Sequence, residues 1–175
     1  YITGREARLL GYTNVYAPIL DVGRDQRWGR YEEVYGESPY LVAELGVEMA
    51  RGMQTDCQIA ATAKHFVAYS NNKGGREGMS RVDPQIAPRE VENIHVYPFA
   101  EVIGRAGLLG VMCSYNDYDG IPIEGSRYWL TQRLRKEMGF RGYVVSDSGS
   151  VEYLHTKHRT APDMKEACLL YISPS

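Results

Sequence analysis

The sequence predicts an α/β fold: a partial (β/α)8 TIM-like barrel in which parallel strands alternate with helices. Three observations predict it. Four short apolar runs rich in β-formers alternate with four segments of helical period. The glycine-rich phosphate loops G-x-G-x-x-G and G-x-x-x-x-G-K-[ST] are both absent, which argues against a nucleotide-binding sheet. Each strand also closes on polar or ionisable residues, as strands do where a barrel gathers its functional groups on one face. Four strands fit half of such a barrel or most of an open doubly wound sheet.

The elements follow in order. Residues 5–11 read as the end of a helix closed by Gly11. A strand is expected over 14–22, with Pro18 suiting a strand end or bulge. The polar loop from Gly23 to Glu32 holds three arginines, two acids and Trp28, which is dense for a plain connector. Ser38-Pro39 opens a helix over 38–54, with Ser as N-cap, Pro at the first helical position, and Leu41, Val42, Leu45, Val47 and Met49 as its apolar set. A small-residue strand over 59–65 ends in Lys64-His65. A polar loop runs from Tyr69 to about Ala87, and Pro88 starts a helix over 88–106 that Gly107 ends. Its apolar face is read as Val91, Ile94, Pro98, Phe99, Val102 and Ile103. The strand 109–115 closes on Tyr115-Asn116-Asp117, and 118–125 is read as a loop. Ser126 caps a helix over 126–138, with Trp129, Leu130, Leu134 and Met138 on one side. The strand 142–147 is read as short and buried, closing on Ser146-Asp147, and Asp163-x-x-Glu166 marks a capping box for a helix over 163–171.

Composition narrows the function. The chain is 43% hydrophobic and 24% charged, so it is globular rather than disordered. A net charge of -2 leaves no basic footprint for nucleic acid, and no apolar run approaches bilayer-spanning length, so neither nucleic acid nor membrane is expected as a partner. The first residues lack the basic-then-apolar pattern of a signal peptide and there is no initiator Met, which suggests a processed chain or a piece of a longer one. The compartment stays open among periplasm, secretion and cytoplasm. Cys57, Cys113 and Cys168 are odd in number and far apart, and are expected as small buried hydrophobes rather than disulfides or ligands. The four histidines form no HExxH pair, so no metal and no cofactor is expected.

The strand ends carry the chemistry. Asp147 alone is ambiguous: an acid after an apolar strand either serves a site or caps the next helix. Arg30 could pair with Glu32 or Glu33, His65 could be a satisfied core histidine, Lys64 a surface lysine, and Tyr115 ordinary packing. Adjacent strand residues point to opposite faces, so Lys64 and His65 can share a site only if the chain bends there. Together, the four strand ends form a polar pocket whose Lys, His and Arg donors suit an oxygen-rich ligand, a sugar or a phosphate. Trp28 and the tyrosines add ring faces, which favour the sugar.

The motifs Pro18-Ile19-Leu20-Asp21-Val22, Arg24-Asp25-Gln26-Arg27-Trp28-Gly29-Arg30, Tyr35-Gly36-Glu37-Ser38-Pro39, Ala63-Lys64-His65-Phe66, Ser114-Tyr115-Asn116 and Gly139 to Asp147 occur in this order. Together they resemble glycoside hydrolase family 3, of the β-glucosidase and β-xylosidase type, over about residues 5–170. The resemblance implies a retaining, exo-acting β-glycosidase working through a covalent glycosyl-Asp intermediate on a β-linked oligosaccharide or an aryl or alkyl glycoside. Asp147 matches the family nucleophile. Arg30, Lys64 and His65 match residues that hold sugar hydroxyls, Tyr115 matches a tyrosine beside the nucleophile, and Arg76 matches a further sugar-binding arginine in a loosely aligned loop.

Departures from the family pattern carry their own expectations. Ser148 stands where the family usually has Trp or Tyr, and Gln26 where Pro is usual. The loop after Phe66 lacks the Asp-x-His acid/base of the N-acetylglucosaminide branch, so the acid/base carboxylate is expected from a following C-terminal domain absent from these 175 residues. The chain is thus expected to be one partial barrel, residues 1–175, of a longer glycosidase. The rival readings are a β-xylosidase of the same family, an inactive sugar-binding fragment, and an unrelated phosphate-ligand barrel using Lys64, Arg30 and the Gly74-Gly75 loop.

Overall fold

A computed structural model describes residues 1–70 and 82–172, apart from the side chain of Cys57. Helix α1 (Ile2–Leu9) leads into β1 (Asn14–Val15), α2 (Pro39–Gln54) and β2 (Ala60–Phe66). A continuous helix α3 (Pro88–Glu90, Val91–Val96, Tyr97–Ala106) precedes β3 (Gly110–Cys113). A two-stranded antiparallel hairpin of β4 (Asp117–Tyr118) and β5 (Ile121–Pro122) leads through a single turn, Ile123–Gly125, to α4 (Tyr128–Glu137). Then come β6 (Tyr143–Val145), α5 (Ser150–Thr156) and α6 (Met164–Ile172).

β1, β2, β3 and β6 form one parallel sheet in that spatial order. Each strand's neighbour is the next one in sequence, and each crossover carries a helix. A doubly wound sheet reverses direction at a switch point; this one does not, so it is an unclosed arc of a barrel. The core lies between the sheet and the helices. Leu20, Ala61, Ala63 and Val111 from the sheet side meet Val42, Val47 and Met53 of α2, Phe99 and Val102 of α3, and Leu134 of α4. Gly46 permits the tightest contact: a Cβ there would sit 2.5 Å from Leu20 Cδ2 and 3.0 Å from Val102 Cγ2. α2 and α3 are also tied at their ends, where Gln54 donates to the Ala106 and Gly107 carbonyls and Arg51 to that of Arg105.

The caps follow the sequence. Ser38 Oγ accepts from Leu41 N–H, Ser126 Oγ from Trp129 N–H, and Asp163 Oδ1 from Glu166 N–H. Gly107 ends α3 in the left-handed conformation, φ 60°.

Several expectations change. β1 pairs as a ladder over two residues, because the proline at 18 has no N–H to donate. The chain keeps contact with β2 through Thr62 N–H to the Ala17 carbonyl and Lys64 N–H to the Pro18 carbonyl. The buried stripe of α2 is Val42, Ala43, Gly46, Val47, Ala50 and Met53, while Leu41 and Leu45 face outward. Residues 91–96 are wound with i→i+5 hydrogen bonds, which shifts the helix phase and buries His95 and Val96 more deeply than Ile94. β6 is not a buried strand. It is a sheet edge with Tyr143 exposed and Val144 and Val145 half-buried. The 118–125 segment contains a hairpin, and α5 stands where no helix was placed. Cys113 is buried as expected; Cys168 is exposed on α6.

Candidate active site

The carboxyl ends of β1, β2, β3 and β6 converge, as a parallel arc requires. At the β2 end the register with β3 shifts between Ala63 and Phe66. This irregularity re-aims consecutive side chains and supplies the bend that a shared Lys64–His65 site needs. Both residues lie close enough to Glu33 to help lower its carboxyl pKa.

His65 is the hub. It is almost fully buried, and its Nδ1 lies 2.7 Å from Asp21 Oδ2, which also accepts from the His65 backbone N–H at 3.2 Å. Its Nε2 lies 3.0 Å from Arg30 Nη1 and 3.5 Å from Asp147 Oδ2. A guanidinium only donates, so in the Arg30 contact Nε2 accepts and Nδ1–H points at Asp21. Asp21 therefore orients the imidazole.

Arg30 is held from its other side by a two-pronged pair with Glu33, at 2.7 and 2.6 Å. Burial opposes the Arg30 charge, but the Glu33 carboxylate outweighs it, with Asp21 adding, and the guanidinium pKa is raised. Glu33 is lowered in turn, chiefly by its bonds to Arg30, with burial working against them. The sequence left open whether Arg30 pairs with a neighbouring acid or reaches the site; it does both.

The second wall rises from β3 and β6. Asp147 lies two residues beyond β6 and is 14% exposed. Its Oδ1 accepts from Ser148 N–H at 2.7 Å. It does not cap α5, whose N-cap is Gly149 with no side-chain bond. Tyr115 Oη donates to the Ser148 carbonyl at 2.9 Å and also interacts with the Asp147 carboxylate. Burial raises the Tyr115 pKa, and the nearby Asp147 carboxylate adds to the rise. The Ser-Tyr-Asn segment is explained by its flanks: Ser114 Oγ and Asn116 Nδ2 both donate to the Val67 carbonyl, locking the β3 end to the β2 end.

Tyr69 closes the space between the walls. Its ring stands 5.0 Å from that of His65 and 5.9 Å from that of Tyr115, with the Arg30 guanidinium carbon 5.7 Å from its centroid. Trp28 packs edge-on against Tyr69 at 5.7 Å and is itself buried, so it supports the wall instead of offering an open face.

The structure thus brings together Arg30, Lys64, His65, Tyr115 and Asp147, while Arg76 lies outside the described residues. Sequence reasoning missed Tyr69 and the service of Asp21 to His65, and left Glu33 as one of two possible partners of Arg30. Asp21 closing a strand, and Glu33 three residues from Arg30, were the available signals. Among the described residues no group of three or more His, Cys, Asp or Glu is arranged to hold a metal ion.

Comparison with known proteins bears on this geometry. The profile of the glycosyl hydrolase family 3 N-terminal domain matches residues 1–170. The chain belongs to glycoside hydrolase family 3. A β-xylosidase of Formosa agariphila is 39% identical over 96% of this chain and 24% of its own length. A periplasmic β-glucosidase of Salmonella typhimurium is 34% identical over 95% of this chain and 22% of its own. Among solved family 3 structures, the Listeria innocua β-glucosidase in complex with glucose superposes with a TM-score of 0.90 at 35% identity, over 98% of this chain and 24% of that one. An exo-β-xylosidase in complex with a xylobiose aziridine probe superposes with a TM-score of 0.91 at 30% identity, over 98% and 24%. The chain spans about a quarter of the length of these relatives.

Proposed function

We propose that the protein to which this chain belongs is a retaining, exo-acting β-glycosidase, and that this chain supplies its nucleophile and much of the site for the terminal sugar. The observation that carries this reading is the His65 hub, which sets Arg30 and Asp147 within 3.5 Å of one imidazole. Asp147 attacks the anomeric carbon while the glycosidic C–O bond breaks, and a second carboxylic acid about 5–5.5 Å away protonates the leaving oxygen. Water then hydrolyses the glycosyl ester, giving its proton to that second group. Arg30, Lys64, His65 and Arg76 hold sugar hydroxyls, and Tyr115 stands beside the nucleophile.

We propose further that the acid comes from outside the described residues. Asp21 is committed to His65, and Glu33 to Arg30. Glu124 is buried against Ser150. We propose that a C-terminal domain supplies the acid in the complete protein.

The sugar is glucose or xylose. The β-xyloside reading has its own support: the relatives at 39% and 35% identity are named β-xylosidase and putative β-xylosidase, against 34% for a β-glucosidase. The test is turnover of nitrophenyl β-glucoside and β-xyloside by the full-length protein and its Asp147→Ala variant. The wild type is expected to release nitrophenol from at least one substrate. The variant is expected to lose about 10⁴-fold or more in kcat while still binding a gluconolactone-type inhibitor. Turnover retained by the variant would overturn the assignment of Asp147.

A further inference from the structure

Glu124 is a carboxyl group that the mechanism above does not use, yet it lies directly behind the nucleophile. It sits in the single turn Ile123–Gly125 between the hairpin and α4, and is 3% exposed. Its Oε1 lies 2.7 Å from Ser150 Oγ, and that hydroxyl is also 2.9 Å from the main-chain carbonyl oxygen of Asp147. Ser150 is buried, and its own N–H donates to the same carbonyl at 3.1 Å.

A serine hydroxyl has one proton to give. A main-chain carbonyl can only accept, and so can an ionised carboxylate. Both short contacts are hydrogen bonds only if Glu124 carries the other proton. We propose that Glu124 is protonated and is a positioning residue for the nucleophile: Glu124 O–H donates to Ser150 Oγ, and Ser150 O–H donates to the Asp147 carbonyl. The chain of bonds anchors the main chain of the proposed nucleophile from the side of the 123–125 turn. It does so without placing a second negative charge behind Asp147.

The surroundings favour the proton. The titratable groups facing Glu124 are Asp147 from the β6 end, Cys113 from β3 and Tyr171 from α6, none of them a cation. From α5 the facing group is the Ser150 hydroxyl. Arg135 of α4 donates to the Gly142 carbonyl and acts on Tyr171. Burial raises the Glu124 pKa to about 7, with the Asp147 charge adding and the Ser150 bond opposing.

The inference rests on the proposed glycosidase activity for its kinetic arm and is independent of it for its spectroscopic arm. The full-length protein is compared with Glu124→Gln, Glu124→Leu and Ser150→Ala. A glutamine amide donates to Ser150 Oγ as the protonated acid does, so Glu124→Gln is expected to keep kcat within about 3-fold. Ser150→Ala, which leaves little to misfold, and Glu124→Leu are each expected to lower kcat by about 10-fold with KM little changed. Combining Glu124→Leu with Ser150→Ala should add little further loss, since both break one chain. Infrared difference spectra of wild type against Glu124→Gln at pH 6 should show a protonated carboxyl stretch that the variant lacks, whether or not the protein turns over a glycoside. Absence of that band overturns the proposal, as does a Glu124→Gln loss equal to that of Glu124→Leu. A wild type inactive on every β-glycoside sinks the proposed function and leaves the infrared result to decide the protonation of Glu124.

Discussion

The two walls of the site are built by different means. On the β1–β2 side, charged side chains hold one another: Asp21 holds His65, Glu33 holds Arg30, and His65 joins the pairs. On the β3–β6 side, main-chain atoms do the holding. Asp147 is bonded by the Ser148 N–H, Tyr115 by the Ser148 carbonyl, and the Val67 carbonyl takes Ser114 and Asn116. The first wall is preorganised to present donors, at the cost of burying ions that tolerate no lost partner. The second keeps its carboxylate partly exposed, as suits the nucleophile proposed for it.

The largest expected effect tests this contrast in stability. Asp21→Ala strips His65 of two buried acceptor contacts and should cost about 3–4 kcal/mol, measured as a fall in melting temperature of the domain carrying it. Ser148→Ala leaves both main-chain contacts in place and should change stability by less than about 0.5 kcal/mol. Equal costs would erase the distinction between the walls.

The walls should also respond to pH in opposite directions. Behind the first lies His95, whose pKa burial lowers to about 4, with Asp21 opposing that fall. A histidine depressed in the folded state contributes stability that is whole above the ordinary value near 6.5 and is lost as pH falls toward 4. Behind the second lies Glu124, raised from 4.5 to about 7, whose contribution is whole below 4.5 and is lost as pH rises toward 7. Each loss is on the order of 3 kcal/mol across its window. The protection of α3 against hydrogen exchange, taken relative to the intrinsic exchange rate at each pH, should fall on acidification, and that of the 123–125 turn should fall on alkalinisation. His95→Asn and Glu124→Gln should flatten the respective trends. Parallel trends in both segments would contradict the assignment.

A smaller effect separates holding from binding. Glu33→Gln keeps the shape but weakens the two-pronged grip on Arg30. KM for the glycoside should rise about 10-fold, roughly 1.4 kcal/mol, with kcat little altered. A fall in kcat alone would show that Arg30 serves the reacting centre rather than the resting sugar.

Much of the molecule was legible locally. The strand and helix alternation, the Ser38 and Asp163 caps, the Gly107 stop and the polar strand ends all depend on residues within a few positions of one another, where spacing and propensity act. The family motifs placed Arg30, Lys64, His65, Tyr115 and Asp147 as candidates for one site. Which side of α2 is buried was not legible. Leu41 and Leu45 are as apolar as the residues that replaced them inside, and only packing against Leu20 and Val102 selects the Gly46 side. The i→i+5 winding that buries His95 likewise has no local signature.

What the fold alone decides is partnership. Asp21 and His65 stand 44 positions apart, and Glu124 and Ser150 stand 26 apart. Pattern in a linear chain says that an acid or a histidine ends a strand. It does not say which group meets it, because parallel strands bring distant ends together only after the helices between them have packed. Asp147 as a strand-end acid was a property of sequence. Asp147 as a carboxylate facing a buried imidazole, backed by a second acid through one serine, is a property of the tertiary structure.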